Sequence, residues 1–272
     1  MLERNNMAQQ TFRRKETKYL LTESQVKQLL WLIEPYLKKD KYFKGTNCSI
    51  YFDNDSRYLA IHSLEKPLYK EKVRIRSYGV PKMNDAVFLE IKKKYNGIGN
   101  KRRIPVELSD FYHYMEDGQL ESATPEIKKE LDVCIKRYGL KPTLFLAYDR
   151  TSYCDRNNSA FRLTFDRNVR SRETDLQLER GDHGEKFFND GTVVMEVKAL
   201  NAYPFYFVHA LSKLRIFPAS FSKYGRVTEK ILTAKNQQPR PQSSFGQVLA
   251  NSQASAQGKT KFYLIKKEQN VW

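Results

Sequence analysis

Residues 72–76 read Lys-Val-Arg-Ile-Arg. In an extended strand alternate side chains face opposite ways, so Lys72, Arg74 and Arg76 share one face, and Val73 and Ile75 the other. The alternation returns along the chain, often with a carboxylate among the cations. Glu90 and Lys92 oppose Val87, Leu89 and Ile91. Arg162, Thr164 and Asp166 oppose Phe161, Leu163 and Phe165, and Glu196 and Lys198 oppose Val193, Met195 and Val197. Lys101 and Arg103 are in phase, as are Arg14, Glu16 and Lys18. Arg150 has the parity of Leu144, Leu146 and Tyr148, which places it where a face changes character. Arg forks match phosphate oxygens and Lys supplies a point charge, so such faces suit a phosphate-rich anion. A carboxylate among them suits Mg²⁺ or Mn²⁺ shared with phosphate oxygens.

Composition agrees with an anionic partner. The 272 residues carry a formal charge of +17. That balance points to nucleic acid, an acidic membrane surface or small phosphate-rich molecules. Hydrophobic residues, at 40%, support a core for one large domain or two small ones. Cys48, Cys134 and Cys154 lie far apart without a CxxC pair, which predicts reduced thiols in a cytoplasmic protein rather than a zinc site or a disulfide framework. The polar start lacks the apolar stretch of a signal peptide, and no apolar run approaches a membrane span. His62, His113, His183 and His209 show no catalytic spacing, and Trp31 reads as a packing residue.

The elements that position these residues follow from local pattern. Residues 1–10 read as a flexible arm, 11–234 as one domain and 235–272, rich in Gln, Ser, Asn and Pro, as a disordered tail. Thr22 and Gln25 form a capping box opening a helix to about Leu37, with Val26, Leu29, Leu30 and Ile33 on one side. Strand patterns occupy 12–21, 47–53, 70–78, 86–94, 100–106, 143–155, 159–169 and 192–200. Helices are predicted near 108–117, 124–138, 204–216 and from Ser222 to 232. The fold class is α+β, with an eight-stranded antiparallel barrel and helices packed outside. Two arrangements fit the parity: charged faces outward give an ordinary core with a basic surface, and charged faces inward give a basic tunnel whose apolar outside is covered by helices. The second is costly when empty, since two like charges about 7 Å apart repel by roughly 2.4 kcal/mol at an effective dielectric of 20.

Eight segments bear on that choice: TKYLL (17–21), SIYFDN (49–54), VRIRSYG (73–79), FLEIKKK (88–94), YDRTSY (148–153), FRLTFD (161–166), VVMEVKA (193–199) and FSKYG (221–225). In this order they resemble the catalytic domain of the vacuolar transporter chaperone family, a polyphosphate polymerase of the triphosphate tunnel metalloenzyme superfamily. The resemblance covers roughly 10 to 232 and implies the inward arrangement. It implies that Arg74, Arg76, Lys92, Arg150, Arg162 and Lys198 serve catalysis on phosphates. Lys18, Lys101, Arg103, Ser222 and Lys223 bind substrate, and Glu196 is the metal ligand. Glu90 is read either as a second carboxylate at the metal or as a salt-bridge partner for a tunnel cation. The chain departs from the family at Arg14-x-Glu16-x-Lys18, where the superfamily alternates carboxylates, and at Ser220, where a Lys is common.

The activity so implied is transfer of the γ-phosphate of ATP to a growing polyphosphate chain, with Mn²⁺ or Mg²⁺. ATP and inorganic polyphosphate or pyrophosphate are the partners, and a separate membrane protein would be needed for export. Hydrolysis of a triphosphate, with Glu16 or Glu90 orienting water, is the neighbouring enzymatic reading. A polyphosphate or nucleic-acid binding module is the non-enzymatic one. Many aromatics fall in apolar phase, as Phe161 and Phe165 do, which argues against base stacking and a specific nucleic acid.

Overall fold

The computed structural model describes residues 15–237, apart from Gly97, 121–124 and Asn201. The chain divides into two units, Met1–Leu232 and Thr233–Trp272. The expected arm, Arg14 and the tail beyond 237 lie outside the described residues.

Strand β1 is Lys15–Leu21, β2 Leu37–Asp53, β3 Tyr69–Tyr78, β4 Ala86–Tyr95, β5 Ile98–Glu107, β6 Lys141–Asp155, β7 Arg162–Arg172, β8 Glu185–Lys186 and β9 Val193–Ala199. Helices are α1 Glu23–Ile33, α2 Tyr58–Leu64, α3 Leu108–Asp117, α4 Pro125–Tyr138, α5 Phe205–Lys213 and α6 Lys223–Gln237. The strands form one antiparallel sheet ordered β1-β9-β7-β6-β2-β3-β4-β5, with the two-residue β8 beside β7. Among the described residues no backbone pairing joins the edge strands β1 and β5.

Apolar parity decides where the helices sit. Val73, Ile75, Val87, Leu89, Ile91, Ile104 and Val106 pack with Phe111 and Tyr114 of α3 and Leu131 of α4. Around the other half of the sheet, Tyr19, Leu21, Phe161, Leu163, Phe165, Met195 and Val197 pack with Val26, Leu29 and Ile33 of α1 and Phe207 and Leu211 of α5. These two apolar cores lie on the face opposite the cations, as the inward arrangement requires. The capping box forms: Gln25 N–H donates to Thr22 Oγ1 at 3.2 Å, and Thr22 N–H to Gln25 Oε1 at 3.0 Å.

Helix α6, with Ala60 of α2, packs differently from α1, α3, α4 and α5. Its Tyr224 and Val227 pack on Tyr51, Leu144, Leu146, Tyr148 and Val169. Those strand residues belong to the cationic face, because Tyr51 pairs with Arg74 and Tyr148 has the parity of Arg150. The start of α6 therefore fills one end of the sheet's interior, which is the change of character that the parity of Arg150 predicts. Gly225 makes the fit possible, since an added Cβ would lie 2.6 Å from Leu64 Cδ2 and 3.0 Å from its Cγ. Gly225→Ala is expected to cost about 1–3 kcal/mol by overpacking α6 against α2, read as a lower melting temperature.

Two expectations are corrected. The first helix ends at Ile33, and β2 begins at Leu37, ten residues before the sequence pattern shows a strand. Its early residues are largely exposed and held by pairing with the end of β6, as Leu37 with Asp155 and Lys39 with Tyr153, with a register shift between Lys39 and Lys44. Trp31 is 76% exposed rather than packed. It stands five positions beyond Val26, off the stripe that meets the sheet. Among the described residues no helix is long and apolar enough to cross a membrane.

Candidate active site

Register carries the charged residues around one continuous face. Across β1, β9, β7 and β6, Lys18 lies opposite Glu196, Glu196 opposite Thr164 and Thr164 opposite Ser152. One step along, Glu16 pairs with Lys198 and Lys198 with Arg162. Arg150 lies opposite Asp166. On the other half Tyr51 pairs with Arg74, Arg74 with Glu90 and Glu90 with Arg103, while Lys72 pairs with Lys92 and Lys92 with Lys101. The sheet curls so that these halves meet. Lys72 on β3 feels Lys18 on β1, and Glu16 on β1 feels Lys92 on β4, although these strands are not neighbours in the sheet. The cations thus face a common interior, buried or half-buried at Arg74, Arg76 and Arg150 and open to solvent at Lys92, Lys101 and Arg103.

Most carboxylates inside it are committed to cations. Asp166, fully buried, accepts from Arg150 Nε at 2.6 Å and Nη2 at 2.7 Å, and also from Lys223 Nζ. Burial alone would raise its pKa; Lys223 and Arg150 outweigh it and hold the carboxyl below its usual range. Glu90 accepts from Arg74 Nε at 2.7 Å and is ion-paired with Lys101 at 2.6 Å, with Arg103 at 3.7 Å. Burial works against Glu90, yet Arg74, Arg76 and Lys101 bring it down to about 2. Arg76 donates to Ser49 Oγ and Tyr148 Oη at 3.2 and 3.0 Å. Arg162 is at the start of β7, ion-paired with Asp40 of the early, exposed part of β2.

The second carboxylate pair is different. Glu196 lies 2.6 Å from Lys198 Nζ, and Glu16 lies 3.4 Å from Lys18 Nζ. Desolvation would raise Glu196, and Lys198, Arg150, Lys18 and Lys223 overcome it to hold the group ionised. Glu16 feels burial and the charge of Glu196 upward, and Lys92, Lys18 and Lys198 downward; the net is down. Thr164, opposite Glu196, keeps a buried hydroxyl without a hydrogen-bond partner.

Lys72 is on the predicted face but received no role from the resemblance. It donates to Ser222 Oγ at 2.9 Å, and Ser222 also accepts from Gly225 N–H at the start of α6. Burial, then Lys18, Lys92, Lys70 and Arg74, lower its pKa to about 7. A folded pKa this far below the ordinary lysine value means that folding disfavours the ammonium. The penalty is full below pH 7 and is relieved as pH rises toward the unfolded value. A bound polyanion reverses this by recharging Lys72. Affinity for tripolyphosphate is therefore expected to fall as pH rises above about 7, with proton uptake on binding seen by calorimetry in buffers of different ionisation enthalpy. Lys72→Arg should flatten that dependence.

An inward-curled antiparallel sheet with a cation-lined interior is the architecture that the triphosphate-tunnel resemblance implies. A family model is more specific: the VTC domain matches residues 13–232, and the chain belongs to that family. Among solved structures it is similar to the putative adenylyl cyclase HpAC1 from Hippeastrum, described as having a dominant triphosphatase activity, at 14% identity over 78% of this chain and 95% of that one, TM-score 0.46. It is also similar to a putative adenylate cyclase from Vibrio parahaemolyticus, at 8% identity over 79% and 97% of the two chains, TM-score 0.42. No curated protein matches the chain.

Glu16, Glu196 and the unsatisfied Thr164 hydroxyl give the channel a hard-oxygen donor set. Among the described residues no cluster of three His, Cys, Asp or Glu side chains could hold a metal alone. Two carboxylates suit a Mg²⁺-like ion that keeps water and phosphate oxygens as its other ligands.

Proposed function

We propose that the chain is a metal-dependent polyphosphate polymerase, moving the γ-phosphoryl group of ATP to the terminal phosphate of an inorganic polyphosphate chain. One observation carries the reading: the channel's cations exceed its carboxylates. Among the described residues no carboxylate lies within ion-pair distance of Lys72, Lys92 or Arg76, while Arg150 and Arg74 each share their carboxylate with another cation. Such a surplus of cations on one concave face is stabilised when phosphate oxygens arrive.

In this reading Arg74, Arg76, Lys92, Arg150, Arg162 and Lys198 hold the reacting phosphates. Lys18, Lys72, Lys101, Arg103, Ser222 and Lys223 extend the track, and the base of ATP stays near the mouth. Glu196 holds the metal, and we assign its companion role to Glu16, because Glu90 is occupied by Arg74 and Lys101. A divalent ion there supplies charge neutralisation for phosphate oxygens. The attacking group is a phosphate anion, so positioning and charge stabilisation suffice without a dedicated general base.

Hydrolysis of a triphosphate is the second reading, favoured by one feature: α6 fills an end of the interior through which a long product would thread. Radiolabelled ATP with Mn²⁺ separates the two. Long labelled chains support the polymerase. Orthophosphate or pyrophosphate as the sole product refutes it and supports hydrolysis.

A further inference from the structure

The tip where β3 begins and β4 turns into β5 carries large apolar side chains in a basic surround. Leu68, Tyr95 and Ile98 are 69%, 64% and 60% exposed. They are neighbours: Asn96 N–H donates to Leu68 O at 2.8 Å, and Tyr95 lies opposite both Tyr69 and Ile98 in the sheet. Single apolar residues are ordinary on a surface, but three large exposed ones at one end of a ribbon mark a candidate interaction site. Lys70 and Lys94, opposite each other, continue the face of Lys72 and Lys92 to the end of the ribbon, and Lys66 precedes the strand. Burial and the charges of Lys94, Lys92, Lys18 and Lys66 lower the pKa of Lys70, so these amines are crowded together. The nearby acids do not neutralise them. Glu65 faces His62 at 3.2 Å, and Glu71 is buried on the opposite face, where Lys93 is its ion-pair partner.

We propose that this tip docks on an anionic phospholipid bilayer, with Leu68, Tyr95 and Ile98 entering the headgroup boundary and Lys66, Lys70 and Lys94 meeting lipid phosphates. Charge complementarity selects the occupant. A bilayer edge is apolar within and anionic at its surface, and the tip presents those complements side by side. Neither component holds a surface firmly alone, so loss of either should release it.

The test is flotation of the full chain with vesicles of phosphatidylcholine, alone or mixed with phosphatidylserine. Saturating tripolyphosphate is present throughout, so that the channel's own cations are occupied. Binding is expected with phosphatidylserine and not with phosphatidylcholine alone. Leu68→Ser with Ile98→Ser, and separately Lys66→Glu with Lys94→Glu, should each weaken it by about tenfold or more at unchanged melting temperature. Absence of binding to the phosphatidylserine vesicles, or undiminished binding by either double variant, overturns the proposal. So does equal binding to the two vesicle types, or capture of a protein or nucleic acid while the vesicles fail.

Discussion

Glu196→Gln should lower turnover of ATP by about 10²-fold or more, while binding of tripolyphosphate without metal becomes tighter. The two effects have one cause. Glu196 is held ionised among Lys198, Arg150, Lys18 and Lys223. Gln keeps the shape but removes the charge, so the proposed metal loses its main ligand and the cations lose a competitor for phosphate. Steady-state kinetics with Mn²⁺, set beside metal-free calorimetry, measures both sides. A variant with undiminished turnover would remove Glu196 from the site. One with weaker metal-free binding would contradict the electrostatics.

Arg150→Ala should be the most damaging change to the channel wall, costing on the order of 3–5 kcal/mol of stability. Asp166 is fully buried and accepts two short hydrogen bonds from this one guanidinium. Removing it leaves the carboxylate with Lys223 alone and opens the wall where the channel meets α6. A fall in melting temperature on the order of 10 °C is expected for a domain of this size. The pH dependence gives a second reading. Asp166 has a folded pKa below its unfolded one, so its stabilisation is present above the unfolded value and lost as pH falls through the folded value. In Arg150→Ala that acid-side loss should shrink. Arg150→Lys, which keeps the charge and loses the fork, should recover only part of the stability.

Much of this arrangement was legible in the sequence, because strand parity is a local property. The alternation at Lys72–Arg76, at Glu90–Lys92 and at Glu196–Lys198 placed each side chain on its face. The resemblance chose between facing inward and outward, and the register now brings those faces together. What parity could not supply was pairing across the interior. Asp166 had the right phase, but its role as the shared acceptor of Arg150 and Lys223 depends on α6, far along the chain. Glu90 had the right phase too, but its pairing with Lys101 and Arg74 depends on register between strands. Lys72 stood in the first motif, yet its unusual environment arises from Lys18 and Lys92 on other strands. The early part of β2 gave no signal, because its exposed Lys-rich residues do not alternate with apolar ones and are ordered by partners over a hundred residues away.

The unpaired margins of the sheet have a mechanical consequence. Backbone pairing fixes the spacing of seven junctions, but β1 and β5 are the two ends of the order. Across the interior, Glu16 on β1 is drawn to the amine of Lys92 on β4, while Lys18 repels Lys72 on β3. The sheet is thus a cuff whose backbone is left unfastened along one side. An empty cuff is pushed apart by its amines, and a polyanion inside draws its lips together. Amide exchange along 15–21 and 98–107 should slow on tripolyphosphate binding more than along the continuously paired β6 and β7.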